Sequence, residues 1–304
     1  MVSSRRGIGF GIASYTLWGF FPIYWKFLKG VTALEILSHR FLWAFVFYLG
    51  IYLLPGALPR GRWRRVDGRV LALSALAVVC LAINWGVYIY GVNSNRVIET
   101  SLAYFLNPLL TVAVGVVFFK DPFTWPLRIA ITLAAVGVLI LSSLAPEFPW
   151  IAISLALSFC VYGVVKKIIG VDARLGSLIE GAIGFLPALA FAFYFRGQST
   201  FTLTSAQWAL LVGAGAVTGL PLFLFSLAAL ELPVSLMGML QFIAPTLQFL
   251  CGVLIYGEEL GTVRCWAFIL IWAGIGFYLS DRMARLGSAY RARRREAASG
   301  PSRE

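Results

Sequence analysis

Residues 100–121, TSLAYFLNPLLTVAVGVVFFKD, and residues 237–258, MGMLQFIAPTLQFLCGVLIYGE, decide the fold. Each is a mostly apolar run close to the roughly 20 residues that cross a hydrocarbon core as a helix. Shifted by 137 residues, the two place Pro108 on Pro245, Gly115 on Gly252 and Asp121 on Glu258, and beyond them Gly137 falls on Gly274. Nearer the start of each half, Trp18-Gly19 matches Tyr162-Gly163 at a shift of 144, the difference being loop length. The chain therefore carries an internal repeat.

Working outward, similar apolar blocks fill the chain to about Ser280. Of 304 residues, 60% are apolar and only 12% charged, far above the roughly 45 to 50% apolar share of soluble domains. Pro, Gly and charge clusters divide the blocks into ten predicted spans, near 7–26, 33–54, 70–92, 98–119, 126–144, 149–166, 176–195, 206–228, 234–256 and 264–280. Five spans then fall in each half, 1–145 and 146–282. An odd number of spans makes the second copy enter from the opposite side, so the predicted fold is an all-α integral membrane protein of two inverted five-helix repeats. Residues 283–304, rich in Arg, Ala, Ser and Gly, read as a basic, solvated and disordered cytoplasmic tail.

The net charge of +12 would raise nucleic-acid binding in a soluble protein, but here the basic residues fall between apolar blocks and report topology. With the amino terminus inside, the inner segments and tail hold 19 Lys and Arg, Lys166 and Lys167 among them, and the outer segments hold 5. This bias places both termini in the cytoplasm and the basic segments beside anionic lipid headgroups. Cys80, Cys160, Cys251 and Cys265 lie singly in apolar blocks and read as packing residues. Arg5 and Arg6 precede an apolar run without a small-x-small cleavage site, so the first span is expected to be retained.

Polar groups inside spans are the informative positions, because a charge at a helix centre costs at least about 2.5 kcal/mol on insertion scales. Thr100, Tyr104, Asn107 and Thr111 form one stripe at helical spacing beside Pro108, and the repeat mate carries Gln241, Pro245 and Gln248. Both stripes are candidates to line a central cavity. Interhelical hydrogen bonding is the alternative use of the same amides. Trp18 with Ser14, Asn84 with Tyr88, and Ser158 with Tyr162 are further cavity candidates, each pair four apart on one helix face. Pro22, Pro108, Pro187, Pro221 and Pro245 are expected to interrupt helices, each removing one backbone bond and freeing a carbonyl that needs a partner.

Glu35, His39 and Arg40 form a charged cluster in the second span with no counterpart in the second half. Arg40 lies about 10 Å from the outer end at 1.5 Å per residue, and Glu99 stands on the same side, at the start of the fourth span. An ion pair of Arg40 with Glu99 or Glu35 is expected. His39 is either a carrier of a coupling proton or a hydrogen-bonded core residue.

These residues resemble the RarD-like branch of the drug/metabolite transporter superfamily, whose members carry two EamA-type repeats and ten helices. The likeness runs from about residue 7 to 282. It rests on Trp18-Gly19 with Pro22, Tyr24 and Lys26, and on Glu35-Ile36-Leu37-Ser38-His39-Arg40. Asn84-Trp85, Glu99, Tyr104-Phe105 and Asn107-Pro108-Leu109 continue it, followed by Tyr162-Gly163, Leu178-Ile179-Glu180, Gln241 with Pro245-Thr246-Leu247, and Tyr256-Gly257-Glu258. The resemblance implies a bacterial inner-membrane permease with a cavity between the repeats and export as the common direction. It also brings a label of chloramphenicol sensitivity or resistance, and relatives in the wider superfamily move amino acids, metabolites or drugs.

The function expected is a secondary active exporter of small solutes working by alternating access. No GxxxxGK[ST] pattern supports ATP-driven pumping, and no HExxH or CxxC pattern supports a metal or a membrane enzyme acting on lipid. No cofactor and no nucleic-acid partner is expected. A non-transporting sensor or assembly factor is the competing class, and the sequence does not specify an oligomeric state.

Overall fold

A computed structural model describes residues 4–28, 30–54, 66–94, 96–143, 148–194, 203–257 and 261–299. Among the described residues all regular structure is helical. The helices are α1 (Arg5–Gly19), α2 (Phe21–Lys26), α3 (Ala33–Leu53), α4 (Gly68–Asn93), α5 (Val97–Val117), α6 (Trp125–Ser142), α7 (Trp150–Ile168), α8 (Ala173–Tyr194), α9 (Ser205–Glu231), α10 (Val234–Gln241), α11 (Ile243–Leu254) and α12 (Thr262–Ser299). Seven stretches of the described residues are long and apolar enough to cross a membrane, α10 with α11 counting as one, and Leu102–Val117 and Cys265–Asp281 are shorter apolar helices. The predicted first span is different: it divides at Phe20 into α1 and the six-residue α2.

Pro22 explains the division. It lacks the N–H that would bond the carbonyl of Trp18, and that carbonyl accepts instead from Gln248 Nε2 at 3.1 Å. Pro245 likewise falls in the first turn of α11, just after the break at Phe242, where a missing N–H costs little. Pro108, Pro187 and Pro221 depart from expectation, because α5, α8 and α9 continue through them. Side-chain caps set several helix starts: Ser4 accepts from Gly7 N, Thr32 from Glu35 N, and Thr204 forms a reciprocal capping box with Gln207.

The chain divides into two compact units. One comprises residues 1–121 and 145–259, with α1–α5 and α7–α11. Within it α3 packs between α8 and α9, α1 against α9, α4 against α7, and α5 against both α7 and α10. Glycines permit these approaches. A Cβ at Gly215 of α9 would strike the Trp43 backbone, one at Gly219 would lie 2.6 Å from Phe47, and one at Gly184 of α8 would lie 2.6 Å from Phe41. In lipid, where apolar burial drives little helix association, such close backbone packing is a main source of cohesion.

The second unit comprises residues 122–144 and 260–304, that is α6 and α12. Its contact is reciprocal. A Cβ at Gly137 would meet the Ala267 carbonyl at 2.8 Å, and one at Gly274 would meet the Ala130 carbonyl at 2.8 Å. These pairs exchange under the 137-residue shift, as the two sides of a two-fold contact must. Helix α12 also runs on to Ser299, about 57 Å of helix at 1.5 Å per residue. The expected disordered tail is thus helical from 283 to 299, in keeping with the high helix propensity of its Ala and Arg residues.

Candidate functional site

Ten of the twelve helices form the first unit, and a cavity of about 240 Å³ lies among them. Its wall comes from the C-terminal halves of α1 and α4, the N-terminal halves and midpoints of α3, α5 and α7, the short α2, and the α10–α11 break. Trp18, Asn84, Tyr88, Tyr104, Asn107, Gln241 and Gln248, all singled out from sequence, line it together with Pro22, Pro245 and Arg40. Tyr162 does not. It is 1% exposed and stacks on Phe225 at 5.6 Å behind the wall, in a cluster with Phe159 and Trp18.

Sequence reasoning missed most of the aromatic lining: Tyr15, Phe21, Trp25, Trp85 and Phe159. Helical spacing from known members held a usable signal, since Tyr15 and Phe21 each lie three residues from Trp18, and Trp85 lies three before Tyr88. Trp18 meets Phe159 edge-on at 5.6 Å, and Tyr88 meets Tyr104 at 6.3 Å. Such pairs contribute about 0.5 to 1.5 kcal/mol each beyond area burial and hold the wall in shape.

The amides line the cavity and bind helices together at once. Thr111 Oγ1 lies 3.3 Å from Asn107 Oδ1 and 3.2 Å from Gln241 Oε1, so one hydroxyl links α5 to α10. Its single proton serves one amide oxygen at a time. Asn84 Nδ2 donates to the Leu155 carbonyl at 2.8 Å and to Ser158 Oγ at 3.1 Å, tying α4 to α7.

The charged cluster resolves into separate places. Arg40 is in the wall, its guanidinium carbon 3.9 Å from the Trp85 ring centre and 5.0 Å from that of Trp25, with Nε donating to Thr218 Oγ1 at 3.1 Å. His39 is buried away from the cavity. Its Nδ1 accepts from Trp43 Nε1 at 3.1 Å, which puts the ring proton on Nε2, and its ring meets Trp208 edge-on. Glu35 lies in the first turn of α3 above the Thr32 cap. The side chain of Glu99, the other expected partner of Arg40, lies outside the described residues.

The opposite halves of the same helices are closed. Lys166 of α7 and Glu180 of α8 form a buried ion pair at 2.7 Å, 3% and 8% exposed, although the sequence counts Lys166 among the basic residues of the inner segments. Its position in the last turn of α7, facing α8, buries it. Lys167 Nζ donates to the Leu232 carbonyl at 2.7 Å. Asp121 Oδ2 accepts from Ser235 N at 2.7 Å and so caps α10, which has no side-chain cap of its own. A Cβ on Gly7 would lie 2.8 Å from Glu231, and one on Gly115 would lie 2.5 Å from Ser235 N.

Residues 5–143 match the EamA-like transporter family. The chain is 38% identical to Protein RarD of Streptomyces exfoliatus over 98% of its own length and 95% of that protein's. It belongs to the RarD-type EamA transporters. An uncharacterized transporter of Vibrio cholerae is also 38% identical, over 95% of this chain and 97% of the relative. A solved crystal structure at 17% identity superimposes with a TM-score of 0.73 over 91% of this chain and 99% of that one, which is a likeness of fold. Family and apolar helices together make this a multi-pass membrane protein with a transport role.

Proposed function

We propose that this chain is a secondary active transporter of small solutes in a bacterial inner membrane, with ten membrane-crossing segments in two inverted repeats and both termini in the cytoplasm. The observation that carries the reading is the cavity placed in one half of the helix bundle while the other half is packed shut. This is the form one state of an alternating-access cycle takes. The reciprocal Gly137–Ala267 and Gly274–Ala130 contacts support the inverted repeat, since they exchange under the sequence shift. Given the 19 to 5 distribution of basic residues, the open half faces outward, the release side for an exporter.

The wall suits amphipathic solutes of metabolite or drug size, with aromatic faces for broad contact and a few polar groups for orientation. The test is purified protein in liposomes, challenged with amino acids, nucleosides, organic acids and chloramphenicol, with and without an imposed pH gradient. Solute flux above that of empty liposomes is expected, with Asn107→Ala and Gln241→Ala lowering flux several-fold while costing stability only about 1 kcal/mol each. Saturable binding without flux would instead identify a sensor. Unfolding at markedly lower temperature with affinity intact would assign the two amides to helix association alone.

A further inference from the structure

The geometry points to single-ring aromatic carboxylates as the solutes this cavity takes, an inference that rests on the transport reading of the same site. Arg40 is the one cation in the described wall, and no described lining residue is a carboxylate. The guanidinium is fixed in three ways: Trp85 lies at 3.9 Å and Trp25 at 5.0 Å from its central carbon, and Thr218 accepts from Nε at 3.1 Å. With Nε committed, the two terminal amino groups form the fork that matches a carboxylate with two parallel hydrogen bonds. Indoles stacked on a guanidinium cover its faces and leave its in-plane edge for hydrogen bonding, which is why stacked arginines suit planar anions.

Size and wall chemistry give the rest of the solute. A dry cavity of about 150 Å³ takes one benzene ring. The 240 Å³ here therefore has room for one ring with a carboxylate attached. Trp18, Tyr104 and Phe159 supply the aromatic surfaces for that ring. A cationic solute would bring its ammonium group toward Arg40 with no described carboxylate in the wall to meet it. A neutral amide isostere presents the fork with one acceptor oxygen and an NH2 donor where a carboxylate presents two acceptors.

The test is equilibrium binding to the purified full chain in lipid nanodiscs, followed by tryptophan fluorescence, with benzoate, benzamide and benzylamine as an isosteric anionic, neutral and cationic series. Benzoate is expected to bind at least about tenfold more tightly than benzamide, with benzylamine weakest, and the preference is expected to shrink as salt is added. Arg40→Gln is expected to bring benzoate down to the affinity of benzamide, and Arg40→Lys to retain part of the preference. If Arg40→Gln does not fold, the ligand series on the unmodified protein decides alone. Equal affinities, a preference for benzamide or benzylamine, or no saturable benzoate binding would overturn the inference. Flux of neutral solutes without benzoate preference would overturn it and leave transport standing. Charge-selective benzoate binding without flux in liposomes would uphold it and overturn transport.

Discussion

Lys166 and Glu180 show how this protein manages charge inside its helices. Each alone would be an ion in a poorly polar interior, and together, at 2.7 Å, they compensate one another. Removing one partner of such a pair commonly costs about 3 to 5 kcal/mol, whereas replacing both with apolar groups of similar volume is often neutral. Lys166→Met and Glu180→Leu are therefore each expected to lower unfolding stability in detergent by about that amount, and the double variant to recover most of it. Additive losses in the double-mutant cycle would mean that the pair is not coupled. The sequence marked Glu180 only as part of a family motif and counted Lys166 as a loop charge, because a linear chain does not say which face of a terminal helical turn meets a neighbour. The polar stripes were more legible. Asn107, Gln241 and Gln248 were found because amides inside apolar runs are costly without partners, whereas the aromatic wall was missed because Trp25, Trp85 and Phe159 look like any other apolar residue in a span.

Among the elements, the insertion of α3 between α8 and α9 places Arg40 in the cavity wall. Glycine makes that insertion possible at Gly184, Gly215 and Gly219. Gly215→Ala is expected to push α9 away from the Trp43 backbone, which cannot yield as a side-chain end would, and to cost about 1 to 3 kcal/mol. Gly50→Ala, near the C-terminal end of α3 where a Cβ meets nothing within 4 Å, is expected to be neutral or stabilising by at most about 1 kcal/mol. Thermal unfolding of both variants in the same detergent checks the contrast, and equal effects would remove the packing argument. Helix positions were the most legible feature of the sequence, since every helical segment except the 281–299 end of α12 falls in or beside a predicted apolar block. Proline was read less well. Pro22 and Pro245 accompany breaks, but Pro108, Pro187 and Pro221 sit inside continuous helices, because whether a freed carbonyl bends a helix depends on what lies beside it. The capture of the Trp18 carbonyl by Gln248, some 230 residues away, is a tertiary fact that local sequence does not contain.

At the scale of the whole molecule, alternating access requires the cavity to reach one side of the membrane and then the other. A single cysteine at Tyr104, a lining residue that is 37% exposed, tests this after Cys80, Cys160, Cys251 and Cys265 are replaced by Ala or Ser. The protein would be reconstituted in vesicles of known orientation and labelled with a membrane-impermeant thiol reagent from each face, with and without a transported solute inside. At rest, labelling is expected from the face opposite the termini, because the half of the bundle holding Lys166–Glu180 and the Asp121 cap is shut. With solute present, labelling from the terminal face is expected to appear and labelling from the other face to fall. Reactivity from a single face under every condition, in protein that still carries out flux, would contradict alternating access through this cavity.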